Sequence, residues 1–362
     1  MSLTELDDGL VRSMAIGAVF SDFGGKIRSV GFHRTDDLLV TSSEDDSLRL
    51  FDIANANSFI CSSLYNLEST GGNDDSSFSL TLLEIGVNTF SWICIFHVPE
   101  SLRYLSMYDN RILRYFKGHK DRVVSLCMSP INDSFMSGSL DRSVRLWDLR
   151  VNACQGILHL RGRPAVAYDQ QGLVFAIAME GGAVKLFDSR CYDKGPFDTF
   201  LVGGDTAEVN DIKFSNDGKS MLLTTTNNNI YVLDAYHGEK KCGFSLEPSQ
   251  GTSLEATFTP DGKYVLSGSG DGTLHAWNIE NPSEKVVAIV FLFAIILVTV
   301  SKLSLKKQVA RWENNIGVVS CLKWAPRRAM FVAASTVLTF WIPNDGEAPA
   351  PADHSADQQP PQ

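Results

Sequence analysis

The chain has 362 residues, 44% of them apolar and 20% charged, and a formal net charge of −10 at neutral pH. That is enough apolar material for a substantial core, while the acidic balance argues against bulk binding to nucleic acid or to an anionic membrane. Seven cysteines, nowhere closer than 27 residues, form no CxxC pair for zinc or redox chemistry, and their odd number fits a reducing compartment.

The opening MSLTELDDGL is acidic and mixed, unlike a secretory leader. Residues 12–20, RSMAIGAVF, precede the first patterned unit. From Gly24 the pattern is regular. IRSVGF (Ile27–Phe32) alternates as a strand, HRTDD turns, LLVTSS forms a second strand, and SEDDSLRLFD (Ser43–Asp52) is a polar turn running into a third. Only FICSS (Phe59–Ser63) continues it. The tract GGNDDSS and the run FSWICIFHV then intervene before LRYLSMYD (Leu102–Asp109) restores a worn copy of the phrase. The clearest unit follows as VVSLCM, SPIND, FMSGS and SLDRSVRLWD, the last running from Ser139 to Asp148. Further copies are MEGGAVKLFD (Met179–Asp188), TTNNNIYVLD (Thr225–Asp234), SGDGTLHAWN (Ser269–Asn278) and AASTVLTFW (Ala333–Trp341). Ahead of the third-last and second-last copies, SNDGK (Ser215–Lys219) and TPDGK (Thr259–Lys263) place Asp-Gly between alternating runs, a strong hairpin signal.

Aligning the turn position gives Asp45, Asp141, Gly181, Asn227 and Asp271, with Ser335 closing the series. From Asp141 to Asp271 the steps are 40, 46 and 44 residues; a double step of 96 between Asp45 and Asp141 holds the worn copy, and 64 residues separate Asp271 from Ser335. One such unit cannot bury its apolar face alone, so the copies must stack. This period, with its terminal Trp-Asp strand, resembles the WD-repeat family of β-propellers, whose blades are four-stranded sheets around a channel. The fold expected is all-β: a seven-bladed WD-repeat β-propeller over residues 1–342, followed by a disordered tail at 343–362 rich in Pro, Ala, acid and Gln. The second blade is expected to be degraded near 54–109. RSMAIGAVF is expected to supply the outermost strand of the last blade, leaving no open sheet edge.

Two stretches, 71–99 and 285–308, look foreign to the rhythm. The second is a hydrophobic insertion before blade seven, carrying VVAIVFLFAIILVTV (Val286–Val300). Residues 286–301 would span about 24 Å as a helix, short of a hydrocarbon core of about 30 Å. A single span there would also put blade seven across the membrane from its sheet neighbours. Translated intron is the preferred reading, ahead of a covered insertion or a membrane anchor.

In a blade of this type His119 of the Gly118-His119 pair, a strand hydroxyl (Ser137 or Ser139), the turn Asp141 and Trp147 form a structural relay rather than a catalytic one. Blade six keeps Asp271 and Trp277 without Gly-His. GSGDG (Gly268–Gly272) fits no phosphate-binding spacing and reads as a turn. There is no HExxH, no GxSxG and no cluster of metal ligands, so no catalytic residue, metal or cofactor is expected. Incoming loops and third-strand turns share one face. There Lys120, Arg122 and Arg142 of blade three join Arg161 and Arg163 of blade four as a basic sector. Lys26 and Arg28 of blade one are offset by Asp45 and Asp46, and Glu208, Glu255 and Asp271 mark blades five and six. Such a sector suits a phosphorylated or acidic peptide.

The phrases YLSMYDNRILRYFKGHKDRVVSLCMSPINDSFMSGSLDRSVRLWDLR (Tyr104–Arg150), ACQG, DKGPFDTF, KFSNDGK and LEATFTPDG resemble the Swd-two/WD-repeat-protein-eighty-two family, in particular its plant members. The resemblance covers roughly 24–57, 58–70, 100–281 and 309–342, and fails at 71–99 and 285–308. It implies a nuclear, non-catalytic scaffold of COMPASS-type complexes that methylate a lysine of histone H three. Recruitment to the phosphorylated tail of RNA polymerase II would go with it, without direct contact to nucleic acid. Relatives in RNA cleavage-and-polyadenylation or phosphatase assemblies, and a membrane-anchored adaptor, are the alternatives.

Overall fold

The computed structural model describes residues 6–33, 37–45, 47–54, 60–66, 81–88, 91–98, 101–106, 111–202, 208–248, 254–280, 308–313 and 317–344. A short helix α1 (Asp8–Arg12) is capped by Asp7, whose carboxylate accepts from Leu10 N at 2.6 Å. Strand β1 (Met14–Phe20) follows. Sheets of four antiparallel strands then succeed one another along the chain, each built from sequential neighbours. They are β2 (Ile27–Phe32), β3 (Leu38–Ser43), β4 (Ser47–Asp52) and β5 (Ile60–Asn66); then β6 (Thr81–Asn88), β7 (Ser91–Val98), β8 (Ser101–Ser106) and β9 (Arg111–Lys117). Next come β10 (Val123–Met128), β11 (Ser134–Ser139), β12 (Ser143–Asp148) and β13 (Cys154–His159), and β14 (Ala165–Tyr168), β15 (Val174–Ala178), β16 (Ala183–Asp188) and β17 (Asp198–Leu201). β18 (Val209–Phe214), β19 (Ser220–Thr225), β20 (Asn229–Asp234) and β21 (Lys240–Ser245) precede β22 (Ala256–Phe258), β23 (Tyr264–Gly268), β24 (Thr273–Asn278) and β25 (Gln308–Glu313). The closing sheet combines β26 (Cys321–Trp324), β27 (Phe331–Ala334) and β28 (Leu338–Pro343) with β1 from the other end of the chain.

Local chemistry sets the hairpins. In SNDGK, Asp217 accepts from Ser215 Oγ at 2.6 Å and from Lys219 N at 3.0 Å, and Gly218 takes φ +70°. TPDGK repeats this with Thr259, Asp261 and Gly262 at φ +72°. Second strands are heavily buried: all six residues of β19, and five of six in β3 and β11. Their faces interdigitate between adjacent sheets. One such core joins Ala165 and Val184 to Ile212 and Leu233, another Met136 and Leu146 to Phe175 and Phe187.

β1 pairs with β28 from Met14↔Pro343 to Phe20↔Leu338, so the first strand closes the last sheet. Phe20 packs edge-on against Phe51 at 5.0 Å and Phe340 at 5.7 Å, linking that sheet to β2–β5. On the other side Leu6, Val11 and Met14 join a core with Tyr264, Leu274, Val309 and Trp341. Asp8 accepts from Tyr264 Oη at 2.7 Å and Asn278 Nδ2 at 3.3 Å, and Arg12 Nε donates to Val309 O at 3.0 Å.

Within the stretch 71–99, anticipated as foreign, Thr81–Asn88 and Ser91–Val98 form β6 and β7, which pair with each other and continue onto β8 in register Ile93↔Ser106 to Val98↔Ser101. The tract 71–77, Asp46, the apolar run 286–300 and the tail beyond 344 lie outside the described residues. Among the described residues no helix is long and apolar enough to cross a membrane. Gln308, at the end of the stretch 285–308, is in β25 and pairs with Trp277. Trp277 and Gln308 face each other across one ladder, so a short turn can join β24 to β25. Replacing 281–306 with four polar turn residues should therefore keep the thermal transition and raise soluble yield, since an apolar run without charge is an aggregation hazard. A variant that loses its cooperative melt would show that the run belongs to the core.

Candidate functional site

The β10–β13 sheet carries a continuous polar chain. Trp147 Nε1 donates to Ser137 Oγ at 2.8 Å, Ser137 Oγ lies 2.7 Å from His119 Nε2, and His119 Nδ1 lies 2.9 Å from Asp141 Oδ2. An acceptor carboxylate on Nδ1 places the proton there, leaving Nε2 to accept from Ser137. Asp141 also takes Lys120 N at 2.9 Å, Ser143 N at 3.0 Å and Ser143 Oγ at 2.6 Å. Burial opposes its ionisation, but the bonds from Ser143, Lys120 N and His119 outweigh it and hold the carboxyl far below the usual range. Burial lowers the pKa of His119 against the pull of Asp141. Ser139 stands outside this chain: its Oγ donates to Asp121 O at 2.9 Å and accepts from Asp141 N at 3.2 Å, tying the turn to the incoming loop.

Asp141→Ala removes four hydrogen bonds and leaves buried partners unsatisfied, so it should cost about 1–3 kcal/mol in urea unfolding. His119 protonates less readily folded than unfolded, so stability should fall as pH drops below its ordinary 6.5. Asp141, held low, adds a loss as pH falls below 3.8. A His119→Gln chain should show a shallower decline between pH 7.5 and 5.5; an unchanged slope would remove His119 from the account.

In the β22–β25 sheet Asp271 accepts from Thr273 N at 3.0 Å and Thr273 Oγ1 at 2.6 Å, and faces Arg311 at 3.4 Å. Trp277 is reached differently from Trp147. His275, two residues earlier on the same strand, stacks on its ring at 5.4 Å and contacts Thr273 Oγ1 and Gln308 Nε2, each at 2.7 Å. The pattern TLHAWN held this signal, since i and i+2 share one strand face. In the first sheet Asp45 accepts from Ser47 Oγ at 2.6 Å, Gly24 N at 3.0 Å and Ser43 Oγ. These bonds overcome burial and bring its pKa to about 2.

The basic residues divide. Lys120, Arg122, Arg142 and Arg161 are exposed. Leu140 N donates to Arg122 O at 3.0 Å and Lys120 N binds Asp141, so Lys120, Arg122 and Arg142 leave the backbone from one hydrogen-bonded loop-and-turn unit. Arg161 lies on the next loop, where its carbonyl accepts from Glu180 N at 3.4 Å. Arg163 is half-buried and turned inward. It donates to Asn210 Oδ1 at 2.6 Å, and burial lowers its pKa despite attraction from Asp211 and Glu208. It lines a shaft of about 480 Å³ between the inner strands, together with Arg28, Lys213, Glu255 and Lys323. Glu255, anticipated on the face shared by incoming loops and third-strand turns, lines this shaft, where it pairs with Lys213 at 2.6 Å. Among the described residues no group of His, Cys, Asp and Glu could hold a metal.

The family model "WD domain, G-beta repeat" matches residues 17–52, 110–148 and 241–278. Each match begins in the outer strand of one sheet and ends with the third strand of the next, so consecutive repeats interlock. The chain is 77% identical to Anthesis Promoting Factor 1 of Arabidopsis thaliana, over 99% of this chain and 100% of that one. It is 35% identical to WD repeat-containing protein 82 of Drosophila melanogaster, over 95% and 98% of the two chains. The chain belongs to the WDR82/Swd2 family. A more distant member, COMPASS component SWD2 of Saccharomyces cerevisiae, is 28% identical over 88% of this chain and 91% of its own. The WDR82/Swd2 architecture is thus an all-β WD-repeat propeller. Its Arabidopsis relative aligns over 381 positions, more than the 362 residues present here, so that relative has residues this chain lacks.

Proposed function

We propose that this protein is a non-catalytic scaffold subunit of a nuclear COMPASS-type histone H3 lysine methyltransferase complex, and that its basic face recruits the complex to the phosphorylated tail of RNA polymerase II. Its likeness along most of its length to a COMPASS component supports the first part. The second rests on one observation. Lys120, Arg122, Arg142 and Arg161 sit exposed on adjacent sheets of a chain of net charge −10, and none makes a side-chain hydrogen bond or ion pair among the described residues. The polar chain from Trp147 to Asp141 has a structural role in this reading: it fixes the loop and turn that carry Lys120, Arg122 and Arg142. The ring is read as seven-bladed over residues 1–342, with a degraded second blade near 54–109.

Reversing Arg122 and Arg142 together to Glu should abolish binding of a phosphorylated polymerase-tail peptide while leaving the melt unchanged, since both side chains are solvated. Binding by the unmutated chain should weaken steeply with salt. Equal affinity of the reversed and unmutated chains at low salt would place the ligand elsewhere.

A further inference from the structure

Arg142 occupies a backbone conformation that arginine adopts at a cost. Its φ is +62°, in the left-handed region where a Cβ crowds the following carbonyl. The corresponding turns between second and third strands place Gly182 at φ +73°, Gly272 at +83° and Asn228 at +57°. Three other described turns at this position thus share the conformation and meet it with residues that tolerate it, while the β27–β28 turn, Ser335–Val337, does without it. Among the described non-glycine residues only Arg142 and Asn228 have positive φ, and asparagine is a tolerant type. Nothing in the fold repays the arginine: its side chain is exposed and makes no hydrogen bond or ion pair among the described residues. Strain kept without a structural return points to a ligand.

The turn is well suited to presenting one. Arg142 N donates to Ser139 O at 3.1 Å and Arg142 O accepts from Leu160 N at 2.9 Å, so the backbone is pinned on both sides. The preceding Asp141 is fixed by His119 and Ser143, and the same carboxylate binds Lys120 N. Leu140 N holds Arg122 O. Three cations thus leave a rigid base from points one hydrogen bond apart. The nearest acid in the loop, Asp121, turns an oxygen to Arg122 N at 2.7 Å.

We propose that Arg142 is the phosphate anchor of the basic face, its guanidinium gripping two oxygens of a phosphoserine or phosphothreonine while Lys120 and Arg122 flank it. A phosphate carries close to two charges at neutral pH, and the planar fork of arginine matches its oxygens where a lysine offers one point charge. This rests on the reading of the face as a phosphopeptide dock. It goes further by naming the anchor and by predicting that the anchor opposes stability.

The test uses the full chain, a phosphorylated polymerase-tail peptide and its unphosphorylated twin. Arg142→Asn relieves the strain without the chain entropy that glycine adds. Its Tm should stay level or rise by about 1–2 °C, while affinity for the phosphopeptide falls at least about tenfold. Arg142→Lys should recover only part of that affinity. If Arg122→Glu loses binding but Arg142→Asn keeps it, the dock stands and the anchor assignment falls. Full affinity in Arg142→Lys overturns the two-oxygen grip. A lowered Tm in Arg142→Asn shows that arginine serves the fold, and the proposal fails. No preference of the unmutated chain for the phosphorylated peptide overturns the dock itself.

Discussion

Deleting residues 1–21 is expected to leave a chain that neither melts cooperatively nor stays soluble. The deletion strips β1 from β28, exposing the edge of the closing sheet, and removes Leu6, Val11 and Met14 from their core. Each buried side chain of this kind contributes about 1.5–3 kcal/mol. Three of them with a strand's ladder approach the whole net stability of about 5–15 kcal/mol typical of a folded domain. The bonds from Tyr264, Asn278 and Arg12 that tie α1 to the neighbouring sheet are lost as well. Because Met14 pairs with Pro343, a circular permutant that links Pro343 to Leu6 through a flexible polar linker keeps α1 and β1 and should fold, with new ends between Phe20 and Lys26. Calorimetry distinguishes the two chains. A deletion variant that melts like the intact protein would mean that closure contributes little.

The repeat was legible because each sheet depends on its neighbours to cover its apolar face, which forces the same alternation and the same turn acid again and again. Asp141, His119, Ser137 and Trp147 are legible as one group because Gly-His and the turn Asp are fixed in spacing by two hairpins. RSMAIGAVF could be placed as the closing strand for a similar reason: a ring leaves one edge that only the other end of the chain can reach. Residues 81–98 were not readable as sheet. Their alternation lacks the turn acid and the terminal Trp-Asp that identify a repeat, yet pairing to β8 needs only backbone groups and an extended chain. The helix α1 was hidden in an acidic opening too short for periodicity. The orientation of Glu255 was hidden as well, because sequence places it near a loop end and cannot say whether it faces solvent or the shaft. His275 replaces the missing Gly-His of its sheet from a strand position, a substitution that pattern matching to loops passes over.

The shaft makes the second large effect testable. Lys213 Nζ donates to Glu255 Oε1 at 2.6 Å, Ala256 O at 2.8 Å and Asp211 Oδ2 at 3.1 Å, and Glu255 Oε2 accepts from Leu322 N at 3.1 Å. One cluster therefore joins β18, the start of β22 and β26, three sheets that meet around the shaft. Burial alone would favour neutral lysine, but Asp211 and Glu255 reverse this and raise its pKa above the ordinary 10.5. Its side chain is about one-quarter exposed. Lys213→Met leaves Asp211, Glu255 and a backbone carbonyl without their common donor, and should cost about 1–3 kcal/mol, less than a fully buried pair because solvent reaches all three side chains. Neutralising the partners in the same chain, Asp211→Asn with Glu255→Gln, should recover most of that loss, because the penalty comes from stranded charge more than from a missing bond. Glu255→Gln alone keeps an acceptor for Leu322 N and should be the mildest single change. Urea unfolding of the single, double and triple variants measures the coupling directly. If the triple variant is as unstable as Lys213→Met, the loss reflects packing of the lysine stem, and the cluster does not hold the three sheets together through charge.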